Sequence, residues 1–169
     1  MTRSSYDFNG QRALIFGGGK GIGRAVAQEF ARRGAVLAVA DIDLDAAEAC
    51  AELIRSAAGE ASAIACDVTR FESVQQAAAD AASALGEIDL VMNNVGAIIS
   101  GHPEDIPRQE WQRILNLNLM SVLHSNEVFL AAMLAKGRGY IVNTASFAGL
   151  YPYATNRFPY VASDRKSVV

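Results

Sequence analysis

Short apolar runs alternate along this chain with longer amphipathic ones. Ala13 to Phe16 is the first apolar run, and a cluster of glycines ends it. Ile22 to Arg33 follows with helical spacing, placing Ile22, Val26 and Phe30 on one side. Val36 to Ala40, Ser62 to Cys66, Ile88 to Met92 and Tyr140 to Thr144 repeat the short apolar pattern. Between them, Leu44 to Ala58, Phe71 to Leu85 and the long stretch Arg108 to Lys136 carry helical periodicity, and Val95 to Pro107 reads as loop. Apolar runs of about four to six residues without polar alternation suit strands buried on both faces. Their alternation with helices predicts right-handed βαβ units, a parallel sheet and an α/β fold. No internal repeat or linker interrupts the pattern, so residues 1–169 read as one domain. Ligands of such sheets sit at the carboxyl ends of the strands. Each predicted end carries something unusual: the glycines, Asp41, Asp67, Asn93 with Asn94, and Ser146.

The first of these ends, Gly17-Gly18-Gly19-Lys20-Gly21-Ile22-Gly23, lies between a strand and a helix. Glycines let the backbone turn tightly and approach a phosphate, while the helix start offers N–H groups and a dipole to the anion. A flexible turn is the competing reading. No Ser or Thr follows a Gly-Lys pair, so this is not the magnesium-holding P-loop of nucleoside triphosphates. Asp41 lies 20 residues beyond Gly21. An acid there accepts hydrogen bonds from both ribose hydroxyls of an adenosine and repels a 2′-phosphate, which favours NAD over NADP. The competing role for Asp41 is a cap on the next helix. Lys20 pulls the other way, since it offers a cation to a 2′-phosphate.

Composition narrows the partners. Apolar residues make up 51% of the 169, enough for a sizeable core and against wholesale disorder. The net charge of −3 and the lack of a basic cluster argue against nucleic acid as a partner. No uninterrupted apolar run reaches the roughly 18 residues of a membrane span, and the polar start from Met1 to Gln11 has no signal-peptide pattern. Cys50 and Cys66 make neither a disulfide framework nor a metal pattern, and they read as two reduced thiols of a cytoplasmic protein. His102 and His124 leave no zinc constellation and read as loop and helix surface. Trp111 reads as packing for the long helix.

The motifs at the strand ends resemble those of the short-chain dehydrogenases/reductases of the classical type. Gly17, Gly21, Ile22 and Gly23 match that family's cofactor loop, with Phe16 where the family has Thr, a change expected to disturb a hydrogen bond that braces the turn without removing the turn itself. Asp67-Val68-Thr69 resembles its adenine-contacting acid, and Asn93-Asn94-Val95-Gly96 its Asn-Asn-Ala-Gly motif. Asn118, Ser146 and Tyr160 fall where the family has its catalytic Asn, Ser and Tyr. The likeness runs from about residue 8 to 163. It implies a Rossmann-like doubly wound fold and hydride transfer between a nicotinamide and a secondary alcohol or carbonyl. It also implies a homo-oligomer in the full-length form, with the long helix as a subunit contact. Tyr160 would be the acid/base, Ser146 the donor to the substrate oxygen, and Asn118 a kink in its helix that supports a water relay. Taken singly, each of the three also reads as structural: a half-buried aromatic, a loop hydroxyl, a satisfied core amide.

One departure bears on chemistry. The family places Lys four residues after the Tyr, whereas this chain has Asp164 there and Lys166 at the wrong helical phase. A Lys ammonium about 4 Å from a phenol, at an effective dielectric of about 20, is worth roughly 4 kcal/mol, or about three pKa units. An anion in its place raises the phenol instead. The resemblance ends at Ser163, and one codon choice for Asp164 to Val169 plus a stop, GAT CGG AAG AGC GTC GTG TAG, reads as a short-read sequencing adapter. The expectation is a chain truncated after its fifth strand with a non-native tail at 164–169, and Lys at position 164 of the source gene. Such a chain is expected to lack dehydrogenase activity and to be poorly stable, with the fifth strand an open edge. A non-catalytic dinucleotide-binding sensor or scaffold is the alternative reading.

Overall fold

The computed structural model describes residues 7–150 and 156–163. Asp164 and the tail to Val169 lie outside them. The order is β1 (Arg12–Phe16), α1 (Gly21–Arg32), β2 (Val36–Asp41), α2 (Leu44–Ser56), β3 (Glu60–Ala65), α3 (Phe71–Leu85) and β4 (Leu90–Asn93). There follow α4 (Arg108–Leu115), a π-helical segment (Asn116–Met120), α5 (Ser121–Lys136), β5 (Tyr140–Asn143), a 3-10 turn (Phe147–Gly149) and α6 (Phe158–Ser163). The strands form one parallel sheet in the order β3-β2-β1-β4-β5. The chain winds outward from β1 in one direction through β2 and β3, then restarts beside β1 with β4. That reversal opens a crevice at the carboxyl ends of β1 and β4.

Side chains alternate between the two faces of a strand, and both faces of this sheet are covered. Leu14 and Phe16 of β1, Ala38 and Ala40 of β2 and Val91 of β4 pack with Val74, Ala77 and Ala81 of α3 and with Phe129 and Met133 of α5. Ala13, Ile15, Leu37, Val39, Leu90 and Met92 face the opposite layer, where Ala27 of α1 and Ala47, Cys50 and Ile54 of α2 lie. Two-sided burial is why these strands read as unbroken apolar runs. Phe16 is one of the largest fully buried side chains, its ring edge-on to Phe129 at 6.5 Å between centroids. The turn after it is present, as expected, and the amides of Gly17 and Gly18 both donate to the Ala40 carbonyl, at 2.8 and 3.1 Å.

Most boundaries shift by one or two residues from the sequence reading, and three of the differences matter here. β3 begins at Glu60, because it pairs with β2 from Val36 onward. β4 begins at Leu90 and extends through Asn93, which registers with Phe16 on one side and Asn143 on the other. The stretch from Arg108 to Lys136 is not one regular helix, since the π segment divides it at Asn116–Met120. By length and mean hydropathy (1.2) this stretch is apolar enough to cross a membrane, although no uninterrupted apolar run is that long. Its apolar side chains have another use here: Ile114, Val122, Phe129 and Met133 are buried, and Asn118, Ser121 and Ser125 are buried with them. Among the described residues β5 is an edge strand, with Tyr140 and Val142 exposed.

Candidate active site

The glycine loop leaves β1 through Gly17, whose φ of +72° only glycine adopts without strain. It then folds against the first turn of α1 so closely that a Cβ on Gly23 would stand 2.0 Å from the Gly17 carbonyl oxygen. No side chain caps α1 and no acid sits in its first turn. Its leading N–H groups and the positive end of its dipole are therefore free to meet an anion at the crevice.

Asp41 ends β2 beside this loop. One of its carboxylate oxygens accepts from the Gly19 amide at 3.0 Å and the other from the Asp43 amide at 3.1 Å. The capping role weighed for Asp41 belongs to Asp43, whose side chain accepts from Ala46 N at the start of α2. Lys20, weighed as a cation for a 2′-phosphate, is committed to Asp43, with Nζ to Oδ2 at 2.6 Å. This hydrogen bond holds the Lys20 ammonium above its usual range and the Asp43 carboxyl below its own.

The next ends are knitted across the sheet. Asp67 turns on itself, with one oxygen accepting from both the amide and the hydroxyl of Thr69, at 3.0 and 2.7 Å. Asn93 is buried and donates to the Asn143 side chain at 2.8 Å. Asn94 spans from the glycine loop to the exit of β5: its amide nitrogen lies 3.4 Å from the Gly17 carbonyl, and its oxygen accepts from Thr144 Oγ1 at 3.1 Å. A cleft of about 300 Å³ opens here. Gly17, Lys20, Gly21, Asp41, Asp67, Val68, Asn94, Val95 and Gly96 line it, as do Ile42, Cys66 and Leu117, to which the sequence reading gave no place in the site. Ile22 and Gly23 do not line it; Ile22 is 66% exposed, and Gly23 packs beneath the loop. Asn93 also lies behind it, holding β4 to β5.

Asn118 is completely buried in the π segment. Its oxygen accepts from Ala97 N at 2.9 Å, and its nitrogen donates to the Ala97 carbonyl at 3.0 Å and to Ser163 Oγ at 2.9 Å. Ser163 in turn donates to the Tyr160 backbone carbonyl at 3.1 Å. One extra residue in the turn of a π-helix is a common device for aiming a side chain inward. Ser146 begins the 3-10 turn, and its hydroxyl accepts from Ala148 N at 3.1 Å. Helix α6, which carries the half-buried Tyr160, packs against both that turn and the π segment. The segments bearing Asn118, Ser146 and Tyr160 thus converge on α6, and Ser163 is a link that sequence reasoning missed.

His124 is not surface. It is half-buried, its Nδ1 lies 3.0 Å from the Val68 carbonyl, and its ring meets Phe71 edge-on. Since a carbonyl only accepts, Nδ1 carries the proton. Cys50 and Cys66 are both buried free thiols. Burial pushes the Cys66 thiol up to about 11 and raises Cys50 as well. Neither is an activated nucleophile, even though Cys66 borders the cleft. At pH 8 a maleimide should label both slowly until denaturant is added; fast labelling of either in the native protein would contradict this burial.

A five-stranded parallel sheet in this order, with a glycine turn at its reversal point, defines a Rossmann-like α/β protein. A sequence profile of short chain dehydrogenases matches residues 11–165, and the chain belongs to that family. It is 37% identical over 147 residues to a cyclohexanol dehydrogenase of Acinetobacter sp. (strain SE19), covering 86% of this chain and 59% of that one. It is 39% identical over 142 residues to a sorbitol dehydrogenase of Cereibacter sphaeroides, covering 83% and 54% respectively. Among solved structures, a short chain dehydrogenase/reductase from Burkholderia phymatum in complex with NAD superposes with a TM-score of 0.90 at 34% identity, covering 95% of this chain and 57% of that one. The chain therefore spans between half and two thirds of the length of these relatives.

Proposed function

We propose that the cleft binds NAD in preference to NADP, and that the protein is an oxidoreductase acting on a secondary alcohol or carbonyl. The observation that carries this reading is the pairing of the uncapped start of α1 with Asp41 across one cleft. The residues present suit a dinucleotide. The glycine loop and α1 would hold its pyrophosphate, Asp41 its adenosine ribose, Asp67 and Val68 its adenine, and Asn94 and Gly96 the nicotinamide half. The bound nicotinamide supplies the hydride chemistry. Tyr160 would exchange a proton at its phenol oxygen with the substrate oxygen, and Ser146 Oγ would donate a hydrogen bond to that same oxygen as charge develops. Asn118 would support proton relay by holding the π segment against α6. The two free thiols favour a reducing compartment, the cytoplasm. The exposed Leu123, Leu130 and Leu134 of α5 suit a homo-oligomeric contact.

A second reading, a non-catalytic dinucleotide-binding module, is favoured by Asp164 at the position after Tyr160 where the family has Lys. Calorimetric titration of the folded chain should give saturable NAD binding and weaker NADP binding. Absence of both would refute the nucleotide site. Turnover of secondary alcohols is expected from a chain with Asp164→Lys extended to the length of the relatives, and not from the unmodified 169 residues. NAD binding without turnover in either would favour the module.

A further inference from the structure

We infer that Asp43 is a second selectivity residue for the cofactor, acting through Lys20 rather than by touching the ligand. The inference rests on the nucleotide reading above. The glycine loop carries a single cation, Lys20, and it lines the cleft. A cation there favours a dinucleotide bearing a 2′-phosphate, against the effect of Asp41. The geometry resolves the conflict. Asp43 is held in place twice: its Oδ1 caps α2 through Ala46 N at 3.1 Å, and its own amide donates to Asp41. Its second oxygen, Oδ2, is left to the Lys20 ammonium at 2.6 Å. Asp41 is itself fixed by the Gly19 amide. Asp41, Asp43 and Lys20 thus form one set with a net charge of −1 at the cleft rim, and its only cation is withheld by a carboxylate that does not line the cleft. Asp41 discourages a 2′-phosphate by its own charge, and Asp43 does so by occupying the group that would attract one.

Asp43→Asn is the informative variant, because Asn caps helices about as well as Asp and α2 keeps its start. NAD and NADP are titrated calorimetrically into the full chain, into Asp43→Asn, into Lys20→Met and into the double variant, at low and high salt. Asp43→Asn should raise NADP affinity relative to NAD by about fivefold, the upper range for an exposed charge pair. The shift should shrink as salt is added, and it should vanish when Lys20→Met is present. An unchanged NADP/NAD ratio in Asp43→Asn, with NAD still bound, would overturn the inference. So would the same shift in the Lys20→Met background, which would mean that Asp43 acts alone. A folded unmodified chain that binds neither dinucleotide would overturn the nucleotide reading itself, and this inference with it.

Discussion

Gly23→Ala should abolish dinucleotide binding and lower the melting temperature by roughly 6–12 °C. The added Cβ would stand 2.0 Å from the Gly17 carbonyl oxygen and 2.9 Å from the Asn94 amide nitrogen. The first of these is backbone and cannot rotate away. Relief requires the loop to lift off α1, which breaks the approach of Gly17 to the helix start and draws Asn94 away from its place between the loop and Thr144. Overpacking of this kind costs about 3 kcal/mol where the neighbour is rigid. In a domain of this size each kcal/mol lowers the melting point by about 2–4 °C. Circular dichroism melts and NAD titration check the two halves separately. A variant melting within about 2 °C of the parent would show that the loop yields cheaply.

Asn118→Ala should destabilise the protein by about 3 kcal/mol in urea unfolding. The substitution removes three hydrogen bonds at a fully buried position and leaves both backbone groups of Ala97 without their partner. Buried groups orphaned in this way cost about 1–3 kcal/mol each, partly recovered if water enters the space. Ser163→Ala loses one of the three bonds and its own bond to the Tyr160 carbonyl, leaves Ala97 paired, and should cost about 1–2 kcal/mol. The order of the two effects is the test. Equal losses, or a loss below about 1 kcal/mol for Asn118→Ala, would mean that the π segment is held by packing alone.

The sheet was legible because burial on both faces leaves a plain mark: Ala13 to Phe16 and Val36 to Ala40 have no polar alternation, and both lie between two helical layers. The cleft was legible at its glycines and at Asp41, because those residue types have few other uses at a strand end. The rest depended on register. Asn93 with Asn143, and Asn94 with Thr144, are each 50 residues apart, and they meet only once β4 and β5 pair. Asp41 and Asp43 are both plausible helix caps in the linear chain, and only the start of α2 at Leu44 assigns the cap to Asp43. The π segment breaks no hydrophobic period, so Arg108 to Lys136 reads as one helix, and only the likeness of Asn118 to its family counterpart hinted at the irregularity. His124 carried no signal of its own, since its partner is a backbone carbonyl.

That last contact gives the long helix a mechanical character. Asn118, in the π segment midway along it, ties the helix to Ala97 and, through Ser163, to the segment bearing Tyr160. Less than two turns further on, His124 fixes the same helix to the loop of Asp67 and Val68 at the other side of the cleft. The two walls of the cleft are therefore joined by one stiff strut, clamped at both points. Sliding or rotating that strut cannot adjust one wall without carrying the other, so the width of the cleft and the aim of the Tyr160 segment behave as a single coordinate.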